Sequence, residues 1–373
     1  MNAPKLRFKE FNEEYKTYKF HDVAKLYRGS SPRPIVNFIT KSEDSVNWIK
    51  IGDGLPNETY INSTSEKITK EGAKKSRRVY KGEIILSNSM SFGRPYILNL
   101  DGCIHDGWFV VRDYEKLLNK EYLYQFMSSP LIQKQYKTLS AGGVVSNISS
   151  ELVYSVKLNI PSHKEQLKVS NFLSLLDKKI ELQFKKIEDL KLFKLSKYSS
   201  VFSKSNNKIK LSDICIIEKG KQINSNLLIE KGNYYMLNGG ILPSGYLNEY
   251  NTNENTITIS EGGNSCGYVN FNKTKFWCGG HCYKIISPSV NTSYLYHLLK
   301  YNEKIIMDLR VGSGLPNIQK KDLESLKLSI HKNNEQLKIG ILFDTFDKKI
   351  NLEINKLNKF KKLKKALMQV MFV

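Results

Sequence analysis

Two stretches of the chain carry the same apolar period, 170 positions apart. Leu173, Ile180 and Ile187 share one heptad position, with Leu176, Gln183 and Leu190 at its partner position; Phe343, Ile350 and Leu357 repeat the first set, and Phe346, Glu353 and Phe360 the second. Apolar residues at alternating three- and four-residue steps put a stripe along one side of a helix, so two amphipathic helices with matching a/d seams are expected. The same displacement lays Ile160-Pro-Ser-His-Lys-Glu-Gln-Leu-Lys168 on Ile330-His-Lys-Asn-Asn-Glu-Gln-Leu-Lys338, and Asp177-Lys-Lys-Ile180 on Asp347-Lys-Lys-Ile350. Each helix of about 35 residues rises about 50 Å. The layer holding Gln183 and Glu353 is polar in both copies, as a register-setting pair or as a solvated edge.

Outside the helices the pattern changes to short β-type runs separated by Gly, Pro, Asn and Ser. Strands are expected at Phe20–Leu26, Val79–Leu86, Trp108–Arg112 and Val153–Leu158, with a short helix over Lys120–Met127. The plan recurs at Leu211–Glu218, Thr256–Ser260, Tyr283–Ser287, a helix around Tyr294–Tyr301, and Leu323–Ile330. The repeat drifts here. Ser146-Asn147-Ile148 matches Pro316-Asn317-Ile318 at 170, Tyr122-Leu-Tyr124 matches Tyr294-Leu-Tyr296 at 172, and Phe20-His-Asp22-Val23 with Gly29 matches Leu211-Ser-Asp213-Ile214 with Gly220 at 191. Drift means insertions in loops, where binding specificity usually resides.

The fold class expected is α+β: two pseudo-repeated mixed α/β domains, dominated by twisted antiparallel strands, joined by two long helices that form an antiparallel coiled coil. The boundaries follow as a first domain over 1–158, a central helix over 159–204, a second domain over 205–328 and a C-terminal helix over 329–373. Residues 1 to about 16 are charged without a clear period and read as a leader that packs on the first domain or stays loose.

Charge narrows the partners. The 373 residues are 40% hydrophobic, ordinary for a globular chain, but 58 Lys plus Arg against 36 Asp plus Glu leave a formal +22. Self-repulsion on that scale normally answers to a polyanion, and double-stranded DNA is the leading candidate. No apolar span of about 18 residues suggests a membrane segment, and the N-terminus has no apolar signal core, so a cytoplasmic location is expected. Five cysteines, odd in number and unevenly spaced, argue for reduced thiols.

Catalytic signatures are missing. There is no G-x-x-x-x-G-K-[ST] phosphate loop and no Asn-Pro-Pro-Tyr or Asp-Pro-Pro-Tyr stretch of an amino-methyltransferase. Asp177-Lys-Lys179 and Asp347-Lys-Lys349 echo part of a nuclease motif but fall on the seam helices of a Lys-rich chain. Cys266, Cys278, His281 and Cys282 have the residue types of a zinc site, yet adjacent His281 and Cys282 would have to turn to one ion, so no metal is expected. The clusters Ala141-Gly-Gly143, Glu261-Gly-Gly263 and Gly312-Ser-Gly314 lack a strand-then-helix context and read as loops.

The remaining chemistry is basic and amide-rich. Arg28 beside Gly29, and Lys219, Lys221 and Gln222 around Gly220, follow the first strand of each domain, where a glycine lets backbone approach a phosphate. Lys74, Lys75, Arg77 and Arg78 form the densest cationic run. Ser87, Asn88, Ser89 and Arg94 in the first domain, and Asn264, Ser265, His281 and Arg310 in the second, are candidate DNA-binding side chains, Arg being suited to guanine and Asn or Gln to adenine. Ser146 and Asn147 with their repeat Asn317 complete the set.

Ile160-Pro-x4-Gln166 leading to Phe172-Leu-x3-Asp177-Lys-Lys-Ile180, the second copy at Glu335-Gln336 and Asp347-Lys-Lys-Ile350, and Pro4-Lys-Leu-Arg-Phe8-x2-Phe11 before Asp22-Val23 together resemble the specificity subunits of type I restriction-modification enzymes over nearly the whole chain. The resemblance implies two target-recognition domains, each reading half of a bipartite gapped DNA sequence, and paired helices that set the gap and hold two methyltransferase subunits, with restriction-motor subunits joining them. It implies no catalytic residue and no cofactor in this chain; S-adenosylmethionine, ATP and Mg would belong to the partners. The competing reading is a stand-alone two-domain DNA-binding or scaffold protein that dimerises through its coiled coil.

Overall fold

The computed structural model describes residues 3–55, 58–89, 93–140, 148–205, 207–312, 314 and 316–373. The chain forms two compact units, Met1–Lys185 with Ile354–Val373, and Lys186–Glu353.

In the first unit the strands are β1 (Lys16–Lys19), β2 (Lys25–Arg28), β3 (Val46–Ile49), β4 (Tyr60–Ile61), β5 (Glu66–Ile68), β6 (Arg77–Val79), β7 (Ile84–Ser87), β8 (Pro95–Leu98), β9 (Gly102–Ile104), β10 (Trp108–Arg112) and β11 (Lys157–Ile160). They make sheets in the orders β2-β10-β7-β8-β4 and β5-β3-β9-β6, plus the pair β1-β11. Phe109 and Val111 of β10 enter a core with Leu123, Phe126 and Tyr136, whereas Trp108 and Val110 enter a second core with Ile49 and Ile85. A strand buried on both faces explains why this stretch is continuously apolar. The helices here are α1 (Phe20–Val23), α2 (Lys70–Lys74), α3 (Lys120–Met127), α4 (Pro130–Ser140), α5 (Ser150–Tyr154) and the first half of α6 (His163–Phe202).

The second unit repeats the frame with β12 (Asn207–Lys210), β13 (Ile216–Lys219), β14 (Tyr234–Leu237), β15 (Gly245–Leu247), β16 (Thr256–Ser260), β17 (Val269–Asn272), β18 (Trp277–Cys278), β19 (Cys282–Ile286) and β20 (Lys327–Ile330). Its sheets run β13-β19-β16-β17, β15-β14-β18 and β12-β20. Its helices are the rest of α6, α7 (Thr292–Tyr301), α8 (Glu303–Asp308), α9 (Lys320–Glu324) and the first half of α10 (Asn333–Met371). The pairs β3 with β9, β4 with β8, and β14 with β18 are parallel among otherwise antiparallel ladders.

Five expected strands are mixed elements. Phe20–Val23 is a helical turn because the Asp22 carboxylate accepts from the Lys19 N–H (2.9 Å), and the strand begins only at Lys25. Leu211–Asp213 is the matching 3-10 turn. The run Val79–Leu86 is cut at Gly82, whose φ of +91° no strand adopts. Val153 lies in α5, capped by the Ser149 hydroxyl on the Leu152 N–H (3.2 Å), and Leu323 lies in α9. Trp108–Arg112, Thr256–Ser260 and Lys120–Met127 form the elements expected of them.

α6 and α10 have 40 and 39 residues, about 60 Å each. In the first unit Asp177 pairs with Lys364 (2.5 Å) and the Lys179 ammonium lies 4.7 Å from the Phe360 ring centre. In the second, Lys186 pairs with Glu353 (3.0 Å), Lys194 with Asp347 (2.5 Å), and the Tyr198 ring meets that of Phe343 at 4.4 Å. Numbers rise on α6 as they fall on α10, so the segments run antiparallel within each unit. The two Asp–Lys clasps are one contact repeated, since the 170-residue displacement carries Asp177 to Asp347 and Lys194 to Lys364. They account for the nuclease-like echo as an interhelix lock. Leu173, Ile180, Ile187, Phe343, Ile350, Glu353 and Leu357 are buried, while Leu176, Gln183, Leu190, Phe346 and Phe360 are half-buried. Among the described residues no helix is long and apolar enough to cross a membrane.

Candidate nucleic-acid interface

Each unit gathers the loops at one end of its main sheet around a tight turn that links strands of two different sheets, β9 to β10 in the first unit and β18 to β19 in the second, and the same backbone contacts build both. In the first unit Gly29 N–H donates to the Trp108 carbonyl (2.8 Å), Ser30 N–H to Ile104 (3.2 Å), and Asn88 N–H to Gly107 (2.9 Å), and the Asn88 carbonyl accepts from the Ile148 N–H (2.7 Å). In the second Gly220 N–H donates to Cys282 (2.8 Å), Lys221 N–H to Cys278 (2.9 Å), and Glu261 N–H to His281 (2.9 Å), and the Glu261 carbonyl accepts from the Ile318 N–H (2.8 Å). Gly29 thus corresponds to Gly220, Asn88 to Glu261, and the turn at 105–107 to that at 279–281.

The glycines serve a purpose other than the one their sequence context suggests. A Cβ on Gly29 would lie 2.1 Å from the His105 carbonyl oxygen, and one on Gly220 2.2 Å from that of Gly279. Their missing side chains let the loop after β2, and the one after β13, press on that turn, which fixes the position of the adjoining cations.

In the first cluster the Arg28 Nε donates to the Asp106 carbonyl (3.2 Å) and the Arg77 Nε to the Arg28 carbonyl (3.2 Å), while Ser30 Oγ donates to the Lys75 carbonyl (3.3 Å). Arg28, Lys74, Lys75, Arg77 and Arg78 all keep exposed heads. Ser87 is buried and joined to Arg94 through backbone and hydroxyl contacts near 3.0 Å; the half-buried Arg94 guanidinium stacks 5.1 Å from the Tyr96 ring centre. Buried Asn88 donates from Nδ2 to the Asp106 carbonyl (3.0 Å), and half-buried Ser89 follows it. Ser146 and Asn147 lie outside the described residues, as does Ala141-Gly-Gly143.

In the second cluster Lys219, Lys221, Gln222, Asn264 and His281 are exposed, and Ser265 and Asn317 half-buried. Asn317 is bridged to Gly262 and Val311, which brings Arg310, exposed, to the edge of the cluster through its neighbour's backbone. The residue that ties the cluster together is one a search for cations passes over. Glu261 accepts from Lys219 Nζ at Oε1 (2.7 Å), with the Tyr283 hydroxyl 3.2 Å away and His281 Nδ1 3.7 Å from Oε2. Oε2 is buried and has no hydrogen-bond partner among the described residues. Burial and the Glu261 charge push the Tyr283 phenol up to about 12. Asp106 plays a comparable part in the first unit, accepting from Ser31 (2.8 Å) and pairing with Arg33 (3.8 Å).

Cys266, Cys278 and Cys282 are buried core thiols, and no group of three or more His, Cys, Asp or Glu among the described residues is placed to hold a metal ion. The two clusters have donors and cations suited to phosphate oxygens and base edges, in two copies on one frame.

A twice-built α+β frame with paired long helices and a loop cluster on each copy defines a two-headed recognition protein. A sequence model described as the type I restriction modification DNA specificity domain matches residues 12–192 and 204–362, and the chain belongs to that family. It is 34% identical over 155 residues to a Mycoplasma pneumoniae protein named as a type I specificity subunit, covering 39% of this chain and 41% of that one. It is 22% identical over 400 aligned positions to the MjaIX specificity subunit of Methanocaldococcus jannaschii, covering 95% and 92%. The alignments to this Mycoplasma protein and to one from Mycoplasma genitalium thus span only 41% and 39% of those relatives. The fold is shared with the S subunit of a type I restriction-modification system from M. genitalium, at 19% identity and a TM-score of 0.66, over 100% of this chain and 99% of that one.

Proposed function

We propose that this chain is the DNA-recognition subunit of a type I restriction-modification complex. Each unit reads one half of a bipartite site, and α6 with α10 sets the gap between the halves. The observation that carries this reading is the duplicated loop cluster: the same backbone bonds hold a different set of side chains in each unit, Asn88 against Glu261 and Arg28-Ser30 against Lys219-Lys221. One frame with two sets of contacts is what a site of two unlike halves requires.

The chemistry on DNA then lies with partners. Two methyltransferase subunits dock on the helices and methylate adenine with S-adenosylmethionine, and restriction subunits supply ATP- and Mg-dependent cleavage in the cytoplasm. Exposed apolar side chains that recur at 170 support docking: Leu167 with Leu337, and Leu182 with Leu352. A name that matches elsewhere agrees with this, since a structure similar at 17% identity and a TM-score of 0.58 comes from work on complex assembly of the type I system.

The test is to change the clusters one at a time in cells that also carry the methyltransferase subunit. Substitutions at Arg28 and Asn88 should alter one half of the methylated motif, and those at Lys219, Gln222 and Glu261 the other. Both halves changing together would contradict the division of labour.

A further inference from the structure

The N-terminal segment shows what covers the end of the helix pair in one unit, and the other unit leaves the same place open. Residues 4–15 cross the start of α6 with a turn at Lys9-Glu10, where the Phe11 N–H donates to the Phe8 carbonyl (3.1 Å). Leu6 N–H donates to the Val370 carbonyl (2.9 Å), and Arg7 donates from Nε and Nη2 to the two oxygens of Glu165, both at 2.8 Å, where the Tyr15 hydroxyl also donates (2.8 Å). The Phe8 ring stands edge-on to Phe172 at 5.9 Å under the Lys168 ammonium (5.5 Å), and Lys168 also pairs with Glu10 (3.3 Å).

Adding 170 moves Glu165, Lys168 and Phe172 to Glu335, Lys338 and Leu342. All three line a groove of about 750 Å³ in the second unit, floored by Ile339 and Phe346. The Glu335 carboxylate is exposed and has no hydrogen-bond or ion-pair partner among the described residues. Among the described residues nothing comparable to residues 4–15 crosses it, the sequence between Phe202 at the end of α6 and Asn207 at the start of β12 being only four residues long. The two sites therefore offer one apolar floor, one carboxylate and one lysine, and only the first is filled.

We infer that the open groove is a docking site for a short non-helical segment of a partner polypeptide carrying arginine, an aromatic residue and, two positions further on, a carboxylate, the spacing of Arg7, Phe8 and Glu10. Arginine would take Glu335, the aromatic ring would enter over Leu342 and Phe346, and the carboxylate would meet Lys338. The occupant comes from another protein because the chain's own N-terminal segment is held at Glu165 by Arg7 and Tyr15. The inference does not depend on DNA recognition; it rests on the internal repeat alone.

A fluorescein-labelled peptide of residues 3–15, titrated onto the full-length chain, tests it by polarisation. Saturable one-to-one binding is expected, with hydrogen-exchange protection at 335–346. Glu335→Lys should weaken binding about tenfold or more, and an Arg7→Glu peptide should recover it on that variant, a rescue that misfolding could not mimic. Leu342→Ser, farther from the charge, should weaken binding without changing its salt dependence. Absence of saturable binding, protection at 165–176 instead, or insensitivity to Glu335→Lys would overturn the assignment. So would crosslinks placing residues 3–15 of a second copy in the groove, which would make it a self-association site.

Discussion

Asp347→Asn isolates the energetic value of the interhelix clasp. The substitution keeps the shape of the side chain and removes the charge that holds Lys194 at 2.5 Å. The lysine cannot simply turn to water: it is 12% exposed and its ammonium lies 5.0 Å from the Tyr198 ring centre. Exposed ion pairs contribute about 0.2–1 kcal/mol. A fully buried pair loses about 3–5 kcal/mol when one partner goes, because the other charge is left desolvated. Asp347 keeps 28% exposure, which places this pair between those limits, at about 2 kcal/mol. For a unit of this size that corresponds to a fall in melting temperature of about 4–8 °C. Thermal unfolding of Asp347→Asn, Lys194→Met and the double variant reads the coupling directly, and exchange at residues 343–353 localises it. A coupling of at least about 1 kcal/mol is expected, with a similar value for Asp177 and Lys364. Additivity within about 0.3 kcal/mol would refute the reasoning and reduce the clasp to a surface pair.

Gly220→Ala should cost about 1–3 kcal/mol, since its Cβ meets the Gly279 carbonyl oxygen at 2.2 Å, whereas Gly52→Ala, with nothing within 4 Å, should be neutral; denaturant titration compares them. Glu261→Gln keeps the fold but releases Lys219, and should change the bases accepted in one half-site while leaving the other intact, as read by sequencing the methylated motif. Removing Lys74, Lys75, Arg77 or Arg78 one at a time should lower the salt dependence of DNA affinity by about one counterion for each true phosphate contact, without shifting sequence preference. His297, buried between Tyr198 (2.8 Å) and Asp344 (3.1 Å), has its pKa lowered by burial against the pull of Asp344. The unfolded imidazole takes a proton as pH falls through about 6.5 while the folded one resists, so stability falls with acidification below that point and levels off once the folded histidine is protonated. His297→Gln should flatten that slope in stability measured from pH 7 to 5.

The helices were legible because a seam of period 3.5 is sampled many times over, and its repetition at 170 averages out individual exceptions such as Gln183 and Glu353. Trp108–Arg112 and Thr256–Ser260 were legible for a different reason, as unbroken β-branched and aromatic runs. Phe20–Val23 and Leu211–Asp213 were not. Four apolar-polar residues fit a strand or a helical turn equally, and the deciding contact is local, the Asp22 carboxylate on the Lys19 N–H. Of the candidate site, Arg28, Arg77 and Asn88, and Lys219, Lys221, His281 and Asn317, are brought together by the turns at 105–107 and 279–281, because the matched glycines mark where the loops meet. Glu261 reads in the sequence only as the start of a glycine loop, since charge points to cations first, although its place after Thr256–Ser260, matching Asn88 after Ile84–Ser87, is a usable signal. The N-terminal segment looks unpatterned because Leu6, Arg7 and Phe8 dock in turn on Val370, Glu165 and Phe172, which leaves no period to detect.

The central claim is that this chain chooses the DNA sequence on which its partners act. Modified-base sequencing of cells carrying the methyltransferase subunit, with and without this chain, tests it most directly. A two-part gapped adenine motif methylated only when the chain is present is the predicted result. Methylation that is unchanged by the chain, or a motif without two separated halves, would contradict it.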